Sequence, residues 1–155
     1  MRVKANTGRT AAVLLTSILF HAMPAIGQGS RPTPILPDTV PYAGVPQVPG
    51  LAAKWLVGNG ADSALYLMRV RLASGTRLPP HTHPDTRFTQ VLSGTLSVGF
   101  DAAFDSSVVA AIPSGGVFVT PAGIPHFVWA RDGEVVYQET GKGPTGNEFV
   151  ERAGP

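Results

Sequence analysis

Short stretches of alternating hydrophobic and polar residues run along the chain from about residue 51 to residue 140. They are rich in β-branched and aromatic residues and are bounded by Gly, Pro, Ser or Asp, which is typical of β-strands. In the first stretch, every second residue belongs to a more apolar set that we expect to face the core. That set is Tyr66, Met68, Val70 and Leu72. The pattern predicts six strands, over residues 64–72, 88–92, 95–99, 116–120, 126–130 and 134–140.

Composition supports an all-β fold. The 155 residues include 18 glycines and 15 prolines, about a fifth of the chain against a usual share of about 12%. Residues 104–112 are the single helix candidate, where Asp105 or Ser106 would cap one turn, and we expect a loop or a strand there. The length allows one domain. The absence of cysteine excludes disulfides and thiolate metal sites, so any metal must bind to nitrogen and oxygen.

The amino-terminal residues have the layout of a secretory signal peptide. Three basic residues precede an apolar stretch, Ala11 to Phe20, and small residues follow it near Gly27. We therefore predict a signal peptide over residues 1–27 and a periplasmic or secreted protein. Its removal lowers the 12 basic residues to nine and keeps all 10 acidic ones, a net charge of −1. The mature chain then has neither a membrane span nor the basic surface that nucleic-acid binding requires.

Residues 28–50 are predicted to form a proline-rich extended arm, because residues 31–50 hold six prolines. Its apolar side chains would dock on the domain or on a neighbouring subunit. Residues 51–155 are then the barrel domain.

Three histidines remain after residue 27, and their spacing is typical of a metal site. His81 and His83 are two residues apart, so an extended segment projects both imidazoles from one face. His126 follows the tight turn Pro121-Ala122-Gly123, which presents it towards the same interior. Ser93-Gly94 is a hairpin turn in which glycine takes a positive φ. Three imidazoles on two distant strands would form a tripod for a first-row divalent metal.

Two motifs containing these histidines resemble those of the cupin superfamily. The first runs from Gly75 over five residues to His81-Thr82-His83 and on to Gly94, and the second runs from Gly115 over five residues to Pro121-Ala122-Gly123 and His126. The resemblance covers roughly residues 65–140. It implies a small single-domain cupin with a double-stranded β-helix, or jelly-roll, barrel. By the same analogy we expect a homodimer.

The chain departs from the cupin pattern at two positions. Arg87 replaces the usual glutamate ligand and Ala130 replaces the usual asparagine. If the strand alternation continues from His81, the Arg87 guanidinium points into the cavity, where it would bind a carboxylate through two hydrogen bonds. Alternatively, Pro84 starts a bulge that places Arg87 outside, in a surface pair with Asp85 or another acid.

Three other polar residues are candidates to replace the missing carboxylate: Gln90, Gln138 and Glu139. Gln138 and Glu139 alternate along one strand, so both cannot face the pocket without a bulge. We favour Gln138, with Arg87, as a substrate-orienting residue, because a buried amide hydrogen-bonds without the pKa penalty of a buried acid.

The cupin resemblance implies one divalent ion, Fe(II), Mn(II), Ni(II) or Zn(II), on His81, His83 and His126. The chain would then be an exported three-histidine metalloenzyme, similar to a dioxygenase, acting on a small, anionic organic molecule. Two alternatives stay open: a non-catalytic module that binds or senses a small ligand, and a metal-free barrel. No residue stands out as a general base, and proton transfer would fall to Asp85, Tyr137, Glu139 or water.

Overall fold

The computed structural model describes residues 34–36 and 38–150. This part of the chain folds into eleven β-strands and contains no helix, which confirms the all-β prediction. The strands are Ala43–Gly44 (β1), Leu51–Val57 (β2), Leu65–Leu72 (β3), Arg77–Thr82 (β4), Arg87–Ser93 (β5), Thr95–Gly99 (β6), Ala110–Pro113 (β7), Val117–Thr120 (β8), His126–Trp129 (β9), Val135–Lys142 (β10) and Glu148–Phe149 (β11).

The strands form two antiparallel sheets. One has the order β1-β2-β3-β10-β5-β8 and the other the order β11-β4-β9-β6-β7. Sequence neighbours are often not neighbours in a sheet, as in a jelly roll. A cluster of buried aliphatic side chains lies between the sheets and includes Leu72, Val91, Leu96 and Val135.

The predicted strands agree closely with the observed ones. In β3, Tyr66, Val70 and Leu72 are buried and Met68 is half-buried, so the expected face points inward. The helix candidate contains no helix, and its last residues enter β7. The alternation did not indicate β1, β2, β4, β7 or β11 as separate strands.

Gly94 makes the predicted hairpin turn between β5 and β6, with φ at +76°. A Cβ atom at this position would lie 2.4 Å from the carbonyl oxygen of Glu134. Both the backbone angle and the space therefore require glycine.

The predicted signal peptide, residues 1–27, lies outside the described residues. Part of the proline-rich segment is described, and it packs on its own domain. Ala43 pairs with Ala53 of β2, and Val48 is buried in the core. The Lys54 ammonium group donates a hydrogen bond of 3.0 Å to the Val40 carbonyl and lies 4.4 Å from the centre of the Tyr42 ring. Within the described residues there is no helix long and apolar enough to span a membrane.

Candidate metal centre and its cavity

Strands β4 and β9 bring the three histidines together. His81 and His126 are direct partners in the antiparallel register, and His83 follows the last residue of β4. The His83 carbonyl accepts a hydrogen bond of 2.8 Å from the amide of Gly123, so the turn before β9 is tied to the chain after β4. The two histidine-bearing segments therefore meet through their backbones as well as their side chains.

The imidazoles form a compact, buried group. One ring nitrogen from each of His81, His83 and His126 lies within 4.8 Å of the other two. The ring centroids are 4.3 to 4.8 Å apart, and each histidine is at most 3% exposed.

Each imidazole is oriented by a backbone carbonyl. The Nδ1 atoms of His81, His83 and His126 lie 2.7, 2.8 and 3.1 Å from the carbonyl oxygens of Pro79, Gly146 and Ile124. A carbonyl oxygen only accepts, so each Nδ1 carries the hydrogen and each Nε2 keeps its lone pair. The Nε2 atom of His83 is buried and has no hydrogen-bond partner. A bound metal would provide that partner, so the residues fit a metal ion.

Burial also keeps the imidazoles neutral. It lowers the pKa of His81 to about 3, with a further contribution from His126. Burial, followed by the nearby Arg87 charge, lowers the pKa of His83 to about 2, and burial lowers the pKa of His126 as well. Neutral imidazole is the form that binds metals.

The Arg87 side chain points inward and is 3% exposed. Its Nη1 donates a hydrogen bond of 2.9 Å to Oε2 of Glu139. Its Nη2 donates to Oγ1 of Thr145 at 2.7 Å and to the carbonyl of Gly146 at 3.2 Å. The same Gly146 carbonyl accepts from His83, so Arg87 and the metal centre share one backbone group.

Asp85 forms a second ion pair with Arg87. Its Oδ1 lies 3.6 Å from Nε of Arg87 and accepts a hydrogen bond from the Thr145 hydroxyl. Its Oδ2 accepts a hydrogen bond of 2.6 Å from the Tyr66 hydroxyl. The inward alternative for Arg87 therefore agrees with the structure, and the outward one is wrong, although Asp85, the partner that it named, does pair with Arg87 in the interior.

The choice between Gln138 and Glu139 is corrected by the structure. Glu139 lines the cavity and is buried, whereas Gln138 lies on the opposite face of β10. There Oε1 of Gln138 accepts a hydrogen bond of 3.2 Å from Nη2 of Arg69, and Gln90 is its register partner in β5. The strand had a usable signal, since Val135, Tyr137 and Glu139 share one face of β10 and the first two make that face the more apolar one.

The environment of Glu139 affects its ionisation in two opposing ways. Burial raises the pKa of the Glu139 carboxyl, and the charge and hydrogen bond of Arg87 partly offset that rise. A carboxyl with a raised pKa, on the cavity wall, suits proton exchange.

A cavity of about 550 Å³ opens beside the histidines. Its polar lining consists of His81, His126, Arg87, Glu139, Tyr137, Gln47, Thr145 and Asn147. Aliphatic and aromatic side chains from both sheets line the rest. The loop of Thr145, Gly146 and Asn147 was missed in the sequence, because it follows the last predicted strand and has no motif.

Fold and site together define a two-sheet β-barrel protein with a buried cluster of three histidines that could hold a metal ion. The cupin family matches residues 59–152, and the chain belongs to that family.

Germin-like proteins are similar in sequence to this chain. Germin-like protein 5-1 of Oryza sativa subsp. japonica is 33% identical over 118 residues, which is 76% of this chain and 48% of that protein. The chain spans about half the length of this relative, and less of the next ones.

Two solved structures illustrate the similarity of fold. The polyketide cyclase RemF from Streptomyces resistomycificus has a TM-score of 0.62 and 18% identity, over 77% of this chain and 87% of that chain. Oxalate oxidase in complex with the substrate analogue glycolate has a TM-score of 0.53 and 28% identity, over 70% of this chain and 59% of that chain.

Proposed function

We propose that this protein is an exported, mononuclear metalloenzyme that acts on a small organic anion. One observation carries the proposal: three buried imidazoles, each oriented by a carbonyl at Nδ1, gather their free nitrogens beside an open cavity. His81, His83 and His126 would hold one divalent ion, Fe(II), Mn(II), Ni(II) or Zn(II). When bound, such an ion supplies Lewis-acid or redox chemistry at positions left open to substrate.

The residues beside the histidines would bind the anion and handle its proton. Arg87 is the one cation on the cavity wall among the described residues, and together with a bound divalent ion it would favour a negative group near the histidines. Glu139 would accept or donate a proton at its carboxylate, since it lines the same cavity and has a raised pKa. The relative solved with glycolate is an oxalate oxidase, which makes small carboxylic acids the first substrates to test.

Metal analysis tests the proposal. We expect the purified protein to bind about one divalent ion per chain, and His83→Ala to weaken the binding by at least about 100-fold, because loss of even an outer-shell partner costs 10- to 100-fold. Thr82→Ala, between the two histidines, is the matched control and should retain the metal. If neither the protein nor the control binds iron, manganese, nickel or zinc after reconstitution, the metal-free barrel is the better interpretation.

A non-catalytic binding module is the second candidate. It is favoured by the internal pairing of Arg87, whose guanidinium already bonds to Glu139, Thr145 and Gly146. Incubation of the metal-loaded protein with a panel of carboxylic acids, followed by mass spectrometry, separates the two. Binding without any product would identify a binding module.

A homodimer would form through the outer face of β5 and β8. Phe88 and Val119 are register partners there and are 57% and 43% exposed, and Val117 beside them is 59% exposed. Adjacent exposed apolar side chains of this size favour association with a second copy.

A further inference from the structure

The cavity has two chemically different ends, and the strand register shows this. On the five-stranded sheet, His81 is opposite His126, and Leu78 is opposite Val128. His126 and Val128 are two residues apart, so the histidine level and the aliphatic level are separated by roughly 7 Å.

The six-stranded sheet repeats this order. Glu139 lies at the histidine level, because it bonds to Arg87, which shares the Gly146 carbonyl with His83. Tyr137 lies two residues away along β10 and is the register partner of Val70 in β3. Val70 is in turn the register partner of Ala53 in β2. Val70, Leu78, Val128 and Tyr137 belong to one buried cluster. The charged residues on the wall, among those described, therefore lie at one end, and the other end is aliphatic apart from Tyr137.

The volume is larger than a small diacid would fill. At about 30 Å³ per water, 550 Å³ corresponds to on the order of 18 water molecules. An acid of a few heavy atoms, held at the histidines, would leave the aliphatic end filled with water. Pockets of 300–1,000 Å³ ordinarily bury most of a drug-sized ligand.

The charges at the histidine end favour one negative group. Asp85 and Glu139 contribute two negative charges and Arg87 one positive charge, while each imidazole donates its Nδ1 hydrogen to a backbone carbonyl and keeps Nε2 unprotonated for the metal. A divalent ion, which the proposed function requires, brings the total to +1. A single carboxylate then neutralises the site, whereas a dicarboxylate brings one negative charge in excess.

We infer that the ligand is an amphipathic monocarboxylic acid, with its carboxylate at the histidines and an apolar body against Ala53, Val70 and Val128. This inference rests on the proposed function for the position of the carboxylate. The apolar body rests on the cavity alone.

Calorimetric titration of the full-length, metal-loaded protein with straight-chain acids tests the inference. Each buried methylene is expected to tighten binding about fourfold, so octanoate should bind about 250-fold more tightly than butyrate. The affinity should stop rising with chain length once the acid fills the cavity. Oxalate and succinate should bind more weakly than octanoate.

Two variants test where the chain lies. Ala53→Leu fills the apolar end and should weaken octanoate binding at least tenfold, with acetate binding and metal content unchanged. Ala52→Leu, on the other face of β2, is the control and should leave the whole series unchanged. Affinities that do not rise with chain length, or an oxalate affinity above that of octanoate, would overturn the inference.

Metal content, measured on the same samples, keeps the two proposals separate. If the affinities of metal-loaded protein do not change with chain length, the inference of an amphipathic ligand is overturned, while the proposed metal site stands. If the affinities rise with chain length on protein that binds no metal, the inference of an amphipathic ligand is supported and the proposed metalloenzyme is refuted.

Discussion

Replacing Arg87 by methionine removes one cation from between two buried carboxylates. The change keeps much of the side-chain volume but deletes the hydrogen bonds to Glu139, Thr145 and Gly146 and the ion pair with Asp85. Removing one member of a buried ion pair costs about 3–5 kcal/mol, because the remaining charge has no compensation. The free energy of unfolding of a protein is about 5–15 kcal/mol, so this loss is a large fraction of its total stability.

The stability lost in the Arg87→Met variant should depend on pH. Burial raises the pKa of Glu139 in the folded protein, and Arg87 opposes that rise, so the substitution raises it further. A folded state with a raised carboxyl pKa binds its proton more tightly than the unfolded chain does. Its stability is therefore highest below the unfolded pKa and decreases as the pH rises through the folded pKa. We expect Arg87→Met to cost most near pH 8 and less near pH 5.

Urea denaturation with a chelator present measures this cost without a contribution from metal release. With a slope of about 2 kcal/mol per molar urea, the midpoint at pH 8 should fall by about 2 M. The double variant Arg87→Met, Glu139→Gln should be more stable than Arg87→Met alone, since it removes one of the unpaired charges. A loss below about 1 kcal/mol at pH 8, or equal losses at pH 5 and pH 8, would refute the reasoning.

Two further predictions concern the support of Arg87 and the outer sheet face. Gly141→Ala should destabilise the fold by about 1.5–3 kcal/mol in the same assay, because its Cβ would lie 2.5 Å from both Oδ2 of Asp85 and the Tyr66 hydroxyl. Gly146→Ala, whose Cβ meets nothing within 4 Å, is the control, and equal losses in the two variants would contradict this explanation. Phe88→Ser should convert the dimer to a monomer in light scattering, whereas Val108→Ser, equally exposed on a loop, should not; a dimeric Phe88→Ser protein would exclude this face.

The fold was largely predictable where side chains alternate, and β4 shows where that reasoning fails. Its sequence, RLPPHT, contains Pro79 and Pro80, which have no amide hydrogen and argue against a central strand. The strand nevertheless forms between β9 and β11, and its register with β9 shifts between Leu78 and His81. Spacing of the histidines indicated the site and an extended segment at His81, although residues 77–82 were not among the six predicted strands.

The metal-centre histidines were predictable because two motifs name them, but their surroundings depend on tertiary contacts. Nothing local in the sequence indicates that Gly146 receives hydrogen bonds from both His83 and Arg87. The inward position of Glu139 was in principle readable from the apolar set of β10. Its contact with Arg87 joins residues 52 positions apart, and only the pairing of β10 with β5 brings them together.

The packing of the segment before β2 has a consequence for how this protein is altered or shortened. Val48 is part of the hydrophobic core, and Val45, Gln47 and Val48 also line the cavity. A fragment that starts at residue 51 would open the cavity at its apolar side. The same arrangement offers protein engineers a short, exchangeable piece of chain through which ligand preference can be tuned while both histidine-bearing strands stay untouched.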